Sequence, residues 1–207
     1  MAQVAIVIPL MRPHRIKPVV DSIAETTEDY RIVVVATGKC ADAARDLPVM
    51  LVEDEGGTYP VRINKGFAAT DERYVMLAAD DLRFYPGWFE AVMRAMEPID
   101  GVVAVNDLHN PAGVHFATSR TYVDTFGGTG DNIPGVVLCE QYTHCWCDDE
   151  FRNVAGHRGR FAYANDAIVE HLHVGNHKAP DDAVYQMGAA AMSHDLAVYT
   201  SRQHLWQ

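Results

Sequence analysis

Residues 74–81, Tyr-Val-Met-Leu-Ala-Ala-Asp-Asp, are the stretch from which the interpretation of this sequence starts. Residues 74–78 form an apolar run that is typical of a strand covered on both faces of a sheet. Asp80 and Asp81 follow directly, and ligands of open α/β sheets bind beyond the carboxyl ends of the strands. Paired carboxylates at such a place are oxygen ligands for a divalent cation. Taken alone, the pair is more consistent with a turn or a helix cap that carries two solvated acids.

Short β-branched runs alternate with helical patterns on both sides of this stretch. The alternation predicts an α/β fold whose central, mostly parallel sheet is flanked by helices. Residues 106–140 are rich in glycine and turn formers and give no clear pattern. The predicted strands cover residues 4–8, 31–36, 49–52, 74–78, 102–105, 161–164 and 167–171, and the predicted helices cover residues 16–26, 39–47, 60–70, 86–96, 148–156 and 180–201.

Length and charge limit the function. The chain has 207 residues and a formal net charge of -11, which fits one domain and argues against stable binding to a nucleic-acid backbone. An acidic protein also repels anionic substrates unless a metal ion or a local basic patch intervenes. No apolar run approaches the ~20 residues of a membrane span. With four cysteines and no pattern of a signal peptide, we expect a reducing, cytoplasmic location.

Two further segments carry residues suited to chemistry. Gly56-Gly57 precedes a predicted helix with Arg62 and Lys65, an arrangement that suits a phosphate or a nucleotide. Asp148 and Asp149 open another predicted helix, where mutual repulsion can raise one pKa toward general-base catalysis. The alternatives are a glycine-rich turn with solvated basic residues and an acidic helix start stabilised by the helix dipole.

Histidines are concentrated in the second half of the chain. The sequence has ten, and seven of them lie between His109 and His177. His171 and His173 point to the same side if a strand holds them. Neutral imidazoles spaced in this way can join a carboxylate-held metal ion, although either one is equally consistent with a partly buried structural residue.

Seven motifs follow one another along the chain. They are, in order, Ile8-Pro9; Arg62, Asn64 and Gly66; Ala78-Ala79-Asp80-Asp81; Pro86-Gly87-Trp88; Phe126-Gly127-Gly128; Asp148-Asp149-Glu150; and His171 and His173. Their order resembles the family-2 glycosyltransferases, which have the GT-A-like nucleotide-diphosphosugar transferase fold. The resemblance spans roughly residues 3–178, and some of the compact single-domain members of the family are carried by bacteriophages. It predicts a catalytic domain over residues 1–178 and a helical extension, residues 179–207, packed on the same domain.

The resemblance implies a hexosyltransferase-type enzyme that moves a sugar from a nucleotide-diphosphate sugar to an acceptor hydroxyl with inversion. It implies Mn²⁺ or Mg²⁺ held by Asp80 and by His171 or His173. Asp81 is expected to support these ligands without binding the metal ion directly. Asp148 is the implied general base, and Asp149 is the competing assignment. The residues expected to contact the donor are Pro9, Glu53 or Asp54, Arg62, Asn64, Asp80 and Lys178.

Two departures from the family pattern affect the donor. Ala78 stands where an aspartate is usual, and Ala36-Thr37-Gly38 replaces an acid expected to contact the nucleobase. UDP-linked sugars are the first choice of donor, and a glycan, a protein or a small molecule is the expected acceptor. The alternatives are a non-catalytic module that binds nucleotide sugars and a sugar-phosphate nucleotidyltransferase. The second is disfavoured because no glycine-rich loop follows the first strand.

Overall fold

Strands and helices alternate along residues 3–206, which the computed structural model describes. Residues 1, 2 and 207, which the predicted domain boundaries include, lie outside the described residues. The strands are β1 (Val4–Pro9), β2 (Tyr30–Ala36), β3 (Met50–Glu53), β4 (Tyr74–Leu77), β5 (Leu82–Phe84), β6 (Val102–Asn106), β7 (Phe116–Ser119) and β8 (Phe161–His171). The helices are α1 (Ile16–Thr26), α2 (Gly38–Ala44), α3 (Tyr59–Ala68), α4 (Trp88–Met96), α5 (Arg120–Phe126), α6 (Cys147–His157) and α7 (Ala183–Arg202).

The strands form one mixed sheet in the order β3-β2-β1-β4-β7-β6-β8-β5. Strands β3, β2, β1 and β4 pair in parallel. Strand β7 is antiparallel to both of its neighbours, β8 is parallel to β6, and β5 is antiparallel to β8. The α/β class with a flanked central sheet is confirmed, and its parallel pairs are the four strands β3, β2, β1 and β4 together with the pair β6 and β8.

Four elements differ from the prediction. One is helix α5, which lies in the segment that gave no clear pattern. The segment predicted as two strands is the single strand β8, in which Ala164 pairs with Val105 and Ile168 pairs with Asn106. The residues between Ala164 and Ile168 bulge out of the ladder, and this bulge produced the interruption in the pattern. Strands β5 and β7 are only three and four residues long, too short for a reliable alternation pattern.

Both faces of the sheet are covered, as the apolar runs require. Ile6 packs in the core with α1 and α4, whereas its neighbour Val7 packs on the opposite face with α3 and α6. Helix α3 lies so close to β1 that a Cβ atom at Gly66 would lie 2.2 Å from a methyl group of Val7. Glycine is therefore required here, and the close approach places Arg62, one turn earlier in α3, beside the end of β1.

The carboxyl ends of the parallel strands meet at one edge of the sheet. Arg12 follows β1, Asp54 follows β3, Asp80 and Asp81 follow β4, and His171 ends β8. Among the helices of residues 3–206, none combines the length and the apolar character that crossing a bilayer would demand.

Candidate active site

A cavity of about 780 Å³ opens at this edge of the sheet. It is bordered by the ends of β1, β4 and β8, by the start of α6 and by the first turns of α7. The structure brings seven of the predicted site residues into its wall. They are Pro9, Arg62, Asp80, Asp148, Asp149, His171 and His173.

Asp80 is almost completely buried, and its carboxylate is occupied by neighbouring protein groups. Its Oδ2 accepts hydrogen bonds from the backbone N–H groups of Met11 and Arg12 at 2.8 and 2.7 Å. Its Oδ1 accepts the guanidinium of Arg12 at 2.7 Å. Burial and the neighbouring charge of Asp81 nevertheless raise the pKa of Asp80. Asp80 thus holds Met11 and Arg12, the segment after β1, in place, and it lies in the wall of the cavity.

Asp81 faces the histidine cluster instead. Its Oδ1 lies 3.5 Å from Nε2 of His171. Burial opposes ionisation, but the hydrogen bond and charge of His171 hold the pKa of Asp81 well below its ordinary value. A carboxylate oxygen beside an imidazole nitrogen is a donor set that suits Mn²⁺. Within residues 3–206 no group of three or more His, Cys, Asp or Glu side chains is arranged to hold a metal ion, so a cation here needs further ligands from substrate and water.

His115 lies behind this pair at the start of β7. Its ring packs edge-on against His171, with the ring centroids 4.8 Å apart. Burial and the adjacent His171 lower the pKa of His115 to about 3, so its imidazole is neutral. Neither ring nitrogen has a hydrogen-bond partner within residues 3–206. Buried polar atoms are rarely left without a partner, and His115 is a lining residue of the cavity.

The two aspartates at the start of α6, Asp148 and Asp149, lie in different electrostatic environments. Burial, followed by the charge of Asp149, raises the pKa of Asp148 from 3.8 to about 7. Asp149 lies in an ion pair with Arg152 at 2.5 Å. A carboxylate with a pKa near neutrality, and with no ion pair found for it in the described chain, has the properties of a general base. Asp149 is instead held by a cation of its own helix.

The loop that leads into α6 is fixed by a buried acid of α7. The side chain of Asp195 is fully buried and accepts the backbone N–H groups of Thr143, His144 and Cys145 at 2.8–2.9 Å. The next residue, Trp146, adopts a left-handed backbone conformation with φ of 65°, which is costly for a bulky residue. Asp195 therefore helps to hold the strained turn from which α6 and Asp148 start.

The residues expected at the nucleobase lie in different places. Asp54 is buried and accepts the guanidinium Nε of Arg62 at 3.0 Å and the backbone N–H of Gly57 at 2.9 Å. Glu53 lies outside the cavity and pairs with Arg45 at 2.7 Å. Of the two acids, only Asp54 supports the glycine loop that borders the cavity.

Two other candidates also lie away from the cavity wall. The Asn64 side chain donates to the carbonyl of Leu138 and accepts the backbone N–H groups of Val137 and Leu138. It therefore braces the 137–138 loop. Lys178 pairs with Glu170 at 2.7 Å. Ala78, at the usual aspartate position, is fully buried in the core.

Several site residues escaped the sequence interpretation. The sequence shows Arg12 only as a basic residue after the first strand. Its partner Asp80 lies 68 residues further along the chain. His115 belongs to a segment without a clear pattern. Tyr185 of α7 donates its hydroxyl to Asp81 at 3.0 Å, and its ring lies 4.0 Å from the guanidinium carbon of Arg12. These contacts depend on tertiary packing, and no local spacing signals them.

The family model named Glycosyl transferase family 2 matches residues 5–146 of this chain. The match covers more than half of the chain and includes the glycine loop, Asp80 and Asp81. The protein therefore belongs to glycosyl transferase family 2. The match ends at Trp146, so Asp148 and His171 lie beyond it. A search of curated protein sequences returned no match.

Solved structures share the fold at low sequence identity. The mannosyltransferase PcManGT from Pyrobaculum calidifontis, in complex with GDP-Man and Mn²⁺, is 17% identical with a TM-score of 0.63. The similarity covers 81% of this chain and 56% of that one, so the present chain spans little more than half of that enzyme. Glucosyl-3-phosphoglycerate synthase from Mycobacterium tuberculosis, in complex with Mn²⁺, UDP-Glc and phosphoglyceric acid, is 15% identical with a TM-score of 0.63, over 97% of this chain and 79% of that one. TarS 1-349 from S. aureus, in complex with UDP, is 11% identical with a TM-score of 0.61, over 82% of this chain and 59% of that one. These are glycosyltransferases of GT-A fold, and the predicted fold is confirmed.

Proposed function

We propose that this protein is a metal-dependent glycosyltransferase that moves a hexose from a nucleotide-diphosphate sugar to an acceptor hydroxyl with inversion. The observation that carries the proposal is one cavity that holds both the Asp81–His171 pair and Asp148, a carboxylate with a pKa of about 7. The Asp81–His171 pair would hold the metal ion that stabilises the leaving diphosphate, and Asp148 would accept the proton of the attacking hydroxyl. Family membership and the nucleotide-sugar complexes of the structural neighbours support the same chemistry.

We assign the metal ion to Asp81 and His171. The expectation that Asp80 is the metal ligand is less well supported, because both of its oxygens already bind Arg12 and the backbone. His173 packs beside His171, with ring centroids 4.8 Å apart, and its Nδ1 accepts the backbone N–H of Gly175 at 3.0 Å. When bound, Mn²⁺ or Mg²⁺ neutralises the charge that develops on the departing diphosphate.

We place the nucleotide beside the ends of β1 and β3. Pro9 and the Gly56-Gly57 loop line the cavity there, and the Arg62–Asp54 pair supports that loop from behind. Gly57 cannot carry a side chain without contact, because a Cβ atom would lie 2.7 Å from Val61. A bare backbone allows close approach of the ligand. UDP remains the preferred nucleotide, since two of the neighbours named above were crystallised with uridine nucleotides.

Asp148 accepts the proton of the acceptor hydroxyl in this scheme. Direct displacement at the anomeric carbon needs one base and no enzyme nucleophile, and it inverts the configuration. Burial keeps the carboxyl group partly protonated near neutral pH, and a base of this strength is effective where the enzyme works. Asp149 is the poorer candidate because Arg152 neutralises it.

The test has three readouts. Calorimetry compares the binding of UDP and GDP with and without Mn²⁺, and Asp81→Asn is expected to remove the metal dependence. A transfer assay compares Asp148→Asn with Asp149→Asn as its matched control, and only the first is expected to abolish transfer while nucleotide binding persists. NMR of the product is expected to show the anomeric configuration opposite to that of the donor. Release of pyrophosphate from a nucleoside triphosphate and a sugar phosphate would instead identify a nucleotidyltransferase.

A further inference from the structure

The fixed charges of the cavity are predominantly negative. Among its described lining residues are five aspartates and two arginines. Both arginines are already paired: Arg12 binds Asp80 at 2.7 Å and Asp182 at 2.6 Å, and Arg62 binds Asp54 at 3.0 Å. The described part of the cavity wall therefore offers no uncommitted arginine or lysine to an incoming anion.

One lining histidine, His144, does not supply the missing positive charge, because burial lowers the pKa of its imidazole. A neutral imidazole both donates and accepts one hydrogen bond, and this matches a hydroxyl group better than a phosphate.

The same cavity also has apolar and aromatic lining residues. Trp146 stands two residues before Asp148, and its indole Nε1 is buried without a hydrogen-bond partner within residues 3–206. Helix α7 contributes Met187 and Met192 to the same cavity, and their side chains are 41% and 45% exposed. Methionine surfaces adapt to apolar ligands, and an indole combines an apolar face with one donor.

We propose that the acceptor is an uncharged glycoside, bound by its apolar face against Trp146, Met187 and Met192, and that phosphorylated acceptors are rejected. The inference depends on the proposed function, because it specifies the acceptor of that same site. A sugar ring carries hydroxyls that satisfy unpartnered donors and acceptors, and it carries C–H faces that pack on apolar side chains. A phosphorylated acceptor brings a second dianion next to the donor diphosphate, and the two lining arginines that could neutralise it are already paired with carboxylates, so like-charge repulsion opposes its binding. The M. tuberculosis neighbour, which was crystallised with phosphoglyceric acid, differs from this chain in its acceptor if the inference is right.

The first experiment uses acceptor pairs that differ only in charge. Octyl glucoside and its 6-phosphate are offered to the intact protein with Mn²⁺ and the nucleotide sugar selected by the donor screen. We expect kcat/KM for the neutral member to exceed that for the phosphate by at least tenfold. Equal values, or a preference for the phosphate, would overturn the inference.

The second experiment changes the charge of the apolar wall. Met192→Lys places a cation in the cavity, and Leu196→Lys places one a single turn further along α7. The two positions are matched, since they are 45% and 42% exposed and only Met192 is a lining residue. We expect Met192→Lys to reduce the preference for the neutral glycoside at least fivefold and Leu196→Lys to leave it unchanged. The same change in both variants would show a general surface effect and contradict the proposed wall.

Binding measurements separate failure of the inference from failure of the proposed function. Calorimetry with UDP, GDP and Mn²⁺ tests the donor site, and saturation-transfer NMR with the two octyl glucosides tests the acceptor site in the presence of the nucleotide. If no nucleotide binds, both proposals fall. If a nucleotide binds while neither glucoside binds, or while the phosphate binds as tightly as the neutral compound, the acceptor inference alone is wrong.

Discussion

Replacing Asp148 by asparagine should stabilise the protein while abolishing sugar transfer. The two side chains have nearly the same shape, so the substitution removes a charge without creating a cavity. In the wild type, burial and the charge of Asp149 raise the pKa of Asp148 from 3.8 to about 7. Above pH 7 the native protein therefore holds an ionised carboxylate in a place that disfavours it.

The size of the effect follows from this pKa. A change from 3.8 to about 7 corresponds to at most on the order of 4 kcal/mol in the free energy of unfolding. The side chain borders an open cavity, and water there screens part of its charge, so we expect about 1–2 kcal/mol. For a chain of 207 residues, this raises Tm by roughly 2–8 °C.

The pH dependence has a definite sign. A group whose pKa is raised by folding stabilises the native state below its unfolded pKa and loses that contribution as the pH rises to the folded value. The wild type therefore loses stability between about pH 4 and pH 7 at this site, and Asp148→Asn does not. We expect the difference in Tm between variant and wild type to be small at pH 4.5 and full at pH 8.

Thermal unfolding from pH 4.5 to pH 8 measures this difference, and a transfer assay runs in parallel. Asp149→Asn is the matched control: it removes the ion pair with Arg152, so it should not stabilise, and it should keep transfer. A Tm difference that does not vary with pH would show that Asp148 has an ordinary pKa. Transfer by Asp148→Asn above one hundredth of the wild-type rate would assign the base to another residue.

Three further predictions concern the same cavity. The wild-type kcat/KM should rise with pH and level off above about pH 7, because Asp148 must be ionised to accept a proton; a profile that falls through this range in a pH-rate measurement would contradict its role. Asp195→Ala leaves the N–H groups of residues 143–145 without their acceptor, so urea unfolding should show that the free energy of unfolding falls by about 2–3 kcal/mol. Assays should show a lower kcat with nearly unchanged nucleotide binding. A kcat equal to that of the wild type would refute the positioning role of Asp195. Asp81→Asn should weaken Mn²⁺-dependent UDP binding at least tenfold in calorimetry, and EDTA should weaken UDP binding to the wild type and not to this variant; an undiminished EDTA effect in the variant would place the metal elsewhere.

The sequence predicted the parts of the site that depend on local pattern. The run before Asp80 is a buried strand because both faces of the sheet are covered, and the bounds predicted for α1 are those observed. The carboxyl edge of the sheet follows from the order of these strands, and with it the neighbourhood of Asp80, Asp81 and His171. Parallel strands bring such residues together whatever lies between them in the chain.

The choice between Asp80 and Asp81 illustrates what local pattern leaves open. The two residues are adjacent in sequence, yet only the fold shows that Arg12 lies 2.7 Å from the first and 3.8 Å from the second, and that His171 lies beside the second. The same is true of Asp148 and Asp149, because Arg152 reaches Asp149 only once α6 has formed. In both pairs the distinction comes from a cation whose position is set by tertiary structure or by a helical turn.

Helix α7 extends this argument to the end of the described chain. Its apolar residues lie on all sides, so the sequence pattern indicates a helix without indicating how it packs. Val198 and Tyr199 pack against the core, and polar side chains of α7 and of the residue before it each contact a different part of the site. Asp182 binds Arg12, Tyr185 binds Asp81, Asp195 binds the loop before Asp148, and Arg202 binds Glu150 at 2.8 Å. A helix with such contacts positions the Asp81–His171 pair, the proposed base and the proposed acceptor wall together, so changes in α7 should affect transfer more strongly than nucleotide binding.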